Sequence, residues 1–257
     1  MHMTFYKYQA TGNDFIMVDN RQELFPKNDT KTISRLCHRR FGIGADGLIL
    51  LETDNTTDFR MVYFNADGKQ GSMCGNGGRC IVAFARYLDL IDAQCTFQAV
   101  DGVHQARISK DQIALQMQDV THIQSNPRYL YLDTGSPHHV QFWEDWDALD
   151  VEKEGRRIRY GLYGEKGSNI NFVKPLDSGR FRVRTYERGV EAETYSCGTG
   201  VTAVALAMYE HGQLSQPEAI LETQGGTLKV RFKEGPGGFS DIWLEGPAER
   251  VYKGVLK

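Results

Sequence analysis

The chain has 257 residues, enough for one large domain or two modest ones, and its 40% hydrophobic content can fill a packed core. Thirty Lys and Arg against 33 Asp and Glu leave a net charge of −3, with no basic run that would track nucleic acid. No apolar stretch reaches the roughly 18 residues of a membrane span. The first residues lack the features of a signal peptide, and five scattered cysteines do not make a secreted disulfide framework. A cytoplasmic protein without nucleic-acid or membrane partners is expected.

In chain order, Phe5 to Gln9 and Phe15 to Asn20 read as strands around a Thr11-Gly12-Asn13-Asp14 turn. Lys31 to Phe41 has helical spacing, with Ile33, Leu36, Cys37 and Phe41 on one face. Leu48 to Glu52 reads as a buried strand, and Phe59 to Asn65 as a half-buried one that delivers the chain to Cys74. A helix follows Cys74 and is expected to end near Leu90. Strands are then expected over Thr96 to Val100, Val103 to Ser109 and Ile113 to Gln118, two of them flanking an Asp101-Gly102 hairpin signal. The second half uses the same grammar. Strands at Arg128 to Thr134 and Val140 to Trp143 precede a polar helix around Asp147 to Arg159. Strands at Ile170 to Lys174 and Arg180 to Tyr186 lead to Cys197 and a second apolar helix. Ile220 to Thr223, Leu228 to Lys233 and Ile242 to Gly246 complete the series. The pattern predicts an α+β chain of two pseudo-symmetric domains, residues 1–119 and 120–247. Each is a curved, mostly antiparallel sheet wrapped around a central helix buried nearly all round.

Two stretches carry the chemistry. Met73-Cys74-Gly75-Asn76-Gly77-Gly78-Arg79-Cys80 and Ser196-Cys197-Gly198-Thr199-Gly200 both read Cys-Gly-(Asn/Thr)-Gly ahead of a small-residue helix. The helix behind supplies unpaired N–H groups and the positive end of a dipole, which favour a thiolate and suit a carboxylate beside it. Several chemistries fit two such thiols. Acting on one carbon acid, they are the acid and base of a two-base proton transfer, with the N–H groups stabilising the enediolate. One thiol could instead attack as a nucleophile with His138 as base, which leaves the second loop without a task. A thiol-redox or anion-binding role is a third reading. No Walker lysine and no G-x-G-x-x-G spacing accompanies the loops, so no cofactor is expected. His138-His139 lacks a third ligand at a suitable spacing, so no metal is expected either. Cys37, Cys80 and Cys95 read as core.

The chain resembles the diaminopimelate epimerase family along nearly its whole length. The matching segments include K-Y-Q-A-T-G-N-D-F at 7–15, F-G-I-G-A-D-G at 41–47, F-N-A-D-G at 64–68 and M-C-G-N-G-G-R-C at 73–80. They continue with S-P-H at 136–138, N-I-N-F-V at 169–173, Y-E-R-G at 186–189, S-C-G-T-G at 196–200 and E-G-P-A at 245–248. The resemblance implies cofactor-independent epimerisation of LL-2,6-diaminopimelate to the meso isomer, for lysine and peptidoglycan precursors. It implies two domains closing on an amino-acid substrate held in the cleft between them, with a last strand, about 248–257, returning to the first domain, and a homodimer. On that resemblance Cys74 and Cys197 are the acid/base pair, and His138 and Glu187 tune them. Gly75, Asn76, Gly198 and Thr199 hold the reacting carboxylate. Asn13, Asn65, Asn169 and Arg188, with Glu187, hold the rest of the substrate. Proline and hydroxyproline racemase-like enzymes share the paired loops, and are the alternative within the isomerases. The family usually has Asn where this chain has Ser136, some members have Gln in place of Gly47, and the Glu187–Thr194 loop is one residue longer.

Overall fold

The structure, a computed structural model, describes residues 3–256. The first half runs β1 (Met3–Ala10), β2 (Asn13–Asp19), α1 (Thr30–Cys37), β3 (Gly47–Glu52), β4 (Phe59–Asn65), α2 (Gly75–Tyr87), β5 (Gln94–Ala99), β6 (Gly102–Ser109) and β7 (Gln112–Gln116). The second runs β8 (Ile123–Ser125), β9 (Leu130–Asp133), β10 (Pro137–Phe142), α3 (Val151–Tyr163), β11 (Asn169–Asp177), β12 (Arg180–Glu187), β13 (Ala192–Thr194), α4 (Gly198–Glu210), β14 (Glu218–Thr223), β15 (Gly226–Gly235) and β16 (Gly238–Pro247). The last strand is β17 (Glu249–Leu256). The chain divides into two compact units, one running to Leu115 and resuming at Gly246, the other Gln116–Glu245.

The two units repeat one pairing scheme. In the first the order is β17-β1-β2-β3-β4-β5-β6-β7, antiparallel except at β2–β3 and β4–β5. In the second it is β8-β9-β10-β11-β12-β14-β15-β16, antiparallel except at β10–β11 and β12–β14. The little strand β13 folds back onto β12. Each sheet is therefore more mixed than the hairpin signals suggest. A parallel junction needs a crossover, and the four parallel junctions are the four places where a helix is inserted. The fold is α+β, with a duplicated sheet that packs on a buried helix in each unit.

Burial explains which strands lost the period-two signal. All six residues of β3 are buried because both faces are covered. Leu48 and Leu50 join the cluster of Ile33 and Cys37 from α1, while Ile49 lies against the glycine face of α2. In β11, Ile170 and Phe172 pack with Val151 and Ile158 of α3, whereas Val173 belongs to the core around α4. α4 is buried at ten of its thirteen positions, and α2 likewise.

Three helix boundaries depart from the sequence reading. α1 stops at Cys37, where His38 turns extended (φ −69°, ψ 120°), and the His38 ring accepts from the N–H groups of Arg40 and Phe41. Phe41 therefore leaves the buried face and is 78% exposed. α2 ends at Tyr87, before Leu90, with Asp89 at a positive φ. α3 is shifted to Val151–Tyr163 because the Asp150 side chain caps it, accepting from the Lys153 N–H. Among the described residues no helix is long and apolar enough to cross a membrane.

Candidate active site

In the first unit the site is built around the head of α2. Cys74 is its N-cap in extended conformation (φ −118°, ψ 121°), and the first helical bond runs from Gly78 N–H to the Cys74 carbonyl at 2.7 Å. The N–H groups of Gly75, Asn76 and Gly77 thus have no acceptor inside the helix. Gly77 permits the close approach to β3 and β4, since an added Cβ would lie 3.0 Å from Ile49 and 3.2 Å from Met61.

Asn13 faces this head from the start of β2. It follows a two-residue Thr11-Gly12 hairpin loop in which both residues have positive φ (47° and 85°). Such a φ is unusual for a β-branched residue; the Thr11 hydroxyl accepts from the Arg79 guanidinium. The Asn13 amide is oriented by Asp46, a carboxylate that only accepts, 2.7 Å from Nδ2. Its Oδ1 therefore faces Cys74 Sγ at 3.6 Å and accepts from Asn76 Nδ2 at 3.2 Å. Asp46 is in turn held with Asp14 by Arg39, and Lys7 pairs with Asp14 at 2.7 Å. Burial alone would raise Asp14, but hydrogen bonds from Arg39 and Lys7 hold it down to about 2.

Beneath the head lies Arg79, fully buried. Its guanidinium donates to Asn76 Oδ1 (2.8 Å), the Gly75 carbonyl (3.3 Å), Thr11 Oγ1 (3.3 Å) and the Pro247 carbonyl (3.4 Å), all neutral acceptors. Burial lowers it to about 10, so it stays a cation at neutral pH. Asn65 stands apart from this cluster. It is exposed at the end of β4, where its N–H bonds to the Lys69 carbonyl, and a Cβ at Gly71 would lie 3.0 Å from its Oδ1. At Gly47 a Cβ would meet the Phe64 carbonyl and the Tyr63 ring, both at 2.5 Å, so no side chain fits there beside Tyr63.

The second unit repeats the geometry at the head of α4. Cys197 caps it (φ −121°, ψ 113°), and Val201 N–H bonds to its carbonyl at 2.9 Å. The thiol is almost covered, and its Sγ lies 3.4 Å from Thr199 Oγ1. Thr199 Oγ1 is 2.9 Å from His138 Nε2. His138 Nδ1 is 3.1 Å from the amide nitrogen of Asn171 on β11. Burial, then the nearby Arg188 charge, pull His138 down to about 3.

Next to it, Asn169 Nδ2 donates to Ser136 Oγ (2.9 Å) and its Oδ1 accepts the Arg188 N–H (2.9 Å). The Arg188 guanidinium is exposed and donates to the Lys166 carbonyl at 3.0 Å and Ser136 Oγ at 3.5 Å. Ser136 Oγ thus serves as acceptor for both neighbours. Glu187 is the half-buried last residue of β12. The loop after it is organised by Glu191, which pairs with Arg159 at 3.1 Å and accepts from the Tyr186 hydroxyl at 3.0 Å.

In each unit, then, a cysteine and its helix head are joined to nearby polar side chains. Cys74, Asn76 and Asn13 are linked in the first; Cys197, Thr199 and His138, and separately Asn169, Ser136 and Arg188, in the second. Cys37, Cys80 and Cys95 are buried, and burial raises all three thiols, Cys37 and Cys95 to about 12. Four polar residues not among the expected site residues hold the clusters: Asp46, Arg79, Asn171 and Thr185, whose hydroxyl donates to Asn171 Oδ1 at 2.9 Å. For Asn171 a signal existed, since N-I-N places it two positions from Asn169 on the same strand face.

A sheet wrapped on a buried helix with a cysteine at its head, repeated in two duplicated units, defines the fold class of this chain. Solved structures with this fold include a PhzF-family phenazine biosynthesis protein from Bacillus anthracis (TM-score 0.80, 14% identity, covering 100% of this chain and 99% of that one). A hydroxyproline epimerase from Agrobacterium vitis matches with TM-score 0.70 and 12% identity over 99% and 92% of the two chains. At these identities the likeness concerns fold alone. Sequence goes further: the diaminopimelate epimerase family model matches residues 5–123 and 130–250. Diaminopimelate epimerases of Flavobacterium psychrophilum and Chlorobaculum tepidum are 55% and 41% identical, over 99% and 96% of this chain and 100% and 98% of theirs. The chain belongs to the diaminopimelate epimerase family.

Proposed function

We propose that the protein catalyses two-base epimerisation of LL-2,6-diaminopimelate to the meso isomer, using its own side chains and no cofactor. The observation that carries this is the repeated cysteine cap. Each thiol sits at the start of a thirteen-residue helix whose first N–H groups have no acceptor within it. Removing an α-proton from an amino acid places charge on its carboxylate, and N–H groups at a helix start stabilise such charge. One thiolate takes the proton and the other thiol returns one, so the pair exchanges states at each turnover. Gly75, Asn76, Gly198 and Thr199 are the donors assigned to the reacting carboxylate.

The second amino-acid end of the substrate needs its own recognition. Arg188 is the residue assigned to the distal carboxylate, because a guanidinium fork matches it with two bonds. Asn169 supports that role by holding the Arg188 backbone. Asn13 and Asn65 are assigned to substrate, and His138 and Glu187 to the environment of the thiols. The same proposal has the enzyme working in the cytoplasm as a homodimer, an assembly that could cover the exposed Val251, Tyr252 and Val255 of β17. Light scattering coupled to size exclusion tests the assembly.

The test of the function is incubation of purified protein with LL-diaminopimelate and separation of the stereoisomers, with L-proline and hydroxyproline run in parallel. Accumulation of the meso isomer, with no reaction on the cyclic amino acids, supports the proposal. Turnover of proline in place of diaminopimelate would move the assignment to a racemase of cyclic substrates.

A further inference from the structure

We propose that Asn171 is a positioning residue that locks His138 as its Nε2–H tautomer and so turns the Thr199 hydroxyl towards Cys197. The amide of Asn171 is buried and held at both ends. Its Nδ2 is 3.0 Å from the His139 carbonyl, a group that can only accept, and its Oδ1 is 2.9 Å from the Thr185 hydroxyl. These two partners fix which end of the amide is nitrogen. The second Nδ2 hydrogen then points at His138 Nδ1, 3.1 Å away, which must present its lone pair.

A neutral imidazole that accepts at Nδ1 carries its proton at Nε2. That proton faces Thr199 Oγ1 at 2.9 Å, so the hydroxyl is an acceptor on this side. Its own hydrogen is left for another partner, and Cys197 Sγ lies 3.4 Å away. The relay runs Asn171 to His138 to Thr199 to Cys197, every bond donating in the direction of the sulfur. Such a relay stabilises a Cys197 thiolate. It also denies His138 the role of base towards that thiol, since the nitrogen facing Thr199 already holds a proton.

Packing makes the arrangement stiff. Asn171 and His138 are fully buried on the α4-facing side of neighbouring strands, in parallel register with Asn171 opposite Val140. Gly200 lets the helix head settle on the amide, because a Cβ there would lie 2.6 Å from Asn171 Oδ1. Of the titratable and charged groups around His138 in this unit, Arg188 disfavours an imidazolium, and Thr199 Oγ1 is within reach of both His138 Nε2 and Cys197 Sγ. Glu187 ends the adjacent β12, and His139 points from the other face of β10 to the Tyr163 hydroxyl at 2.8 Å.

The inference rests on the epimerase reading only in calling the thiolate useful; its test does not need turnover. The full-length protein, labelled with 15N at histidine, is examined by long-range 1H–15N NMR across the neutral pH range, with His138→Asn used for assignment. The expected result is a His138 that is protonated at Nε2 alone and does not titrate. An Nδ1–H tautomer, or titration near neutrality, overturns the proposal. In parallel, alkylation of Cys197 by iodoacetamide is followed against pH by peptide mass spectrometry, with Cys74 as internal reference. Thr199→Val should slow Cys197 alkylation at neutral pH by about tenfold and move its profile to higher pH, while Thr199→Ser restores it. Asn171→Asp, which replaces the donor by an acceptor, should act as Thr199→Val does. An unchanged Cys197 profile in Thr199→Val refutes the relay even if Asn171→Asp does not fold. Absence of diaminopimelate turnover alongside the expected tautomer and profile would instead count against the proposed reaction.

Discussion

Two glycines of the second unit should respond to the same substitution in opposite directions. Gly161 lies in α3 with open space around its missing Cβ, whereas a Cβ on Gly200, in α4, would lie 2.6 Å from Asn171 Oδ1 and 3.2 Å from Cys197 Cβ. Replacing a helical glycine by alanine gains about 0.8–1 kcal/mol from backbone propensity. At Gly161 nothing opposes that gain, and the unfolding midpoint should rise by about 2–4 °C for a chain of this size. At Gly200 the new methyl must displace an amide tied to His139, His138 and Thr185. Overpacking costs about 1–3 kcal/mol, and a broken buried hydrogen bond about 1 more. The net is a loss of about 1–3 kcal/mol and a midpoint lower by about 2–12 °C. Both helices belong to the Gln116–Glu245 unit, so circular dichroism on heating reads the two substitutions in one transition. A Gly200→Ala protein as stable as Gly161→Ala would refute the close packing of the α4 head on Asn171.

Acid should destabilise the fold well above the carboxylate range. Burial holds His138 and His139 neutral to about 3 and about 4, whereas unfolded histidines protonate near 6.5. The unfolded chain therefore binds more protons between those values, and stability falls as pH drops through that window. Each histidine adds up to about 1.4 kcal/mol per pH unit, so urea midpoints at about pH 7 and about pH 5 should differ, and His139→Gln should flatten the slope. Equal midpoints would contradict the burial of neutral rings. Arg188→Lys should lower kcat/KM on diaminopimelate at least tenfold, since a fork to a carboxylate contributes about 1.5–3 kcal/mol that an ammonium does not reproduce. Unchanged kinetics would leave Arg188 a surface charge. Cys74→Ala and Cys197→Ala should each lower turnover by about 10²–10⁴-fold or more while leaving the fold intact, as expected when one member of an acid/base pair is lost. Near-normal activity in either would remove that thiol from the mechanism.

The parts of the fold legible in the sequence are those whose signal is local. The caps at Cys74 and Cys197 and the small-residue runs of α2 and α4 are contiguous in sequence, and most strands were recognisable from alternation or from a short apolar run. What escaped depends on side-chain bonds that periodicity does not show, or on residues distant in the chain. α1 stops at Cys37 because the His38 ring satisfies the next backbone donors, which helical spacing through Phe41 does not disclose. The three-residue strands β8 and β13 exist only through their partners β9 and β12. In the site, side chains at turns and helix heads were legible. Arg79 was not, because a basic residue inside a helix is ordinarily solvated, and only the fold shows its burial among neutral acceptors. Asp46 and Asn171 reach their partners across 33 residues of sequence, so their role in aiming Asn13 and His138 arises from pairing.

The central claim is that two thiols act on one α-carbon, and solvent isotope incorporation tests it most directly. LL-diaminopimelate incubated with the protein in deuterium oxide is followed by proton NMR and mass spectrometry during the first few per cent of conversion. The two-base account predicts meso product carrying one deuterium at the inverted carbon, while the remaining LL substrate keeps its protons. Meso product that retains the original proton, or deuterium that enters the LL substrate as fast as product forms, would contradict it.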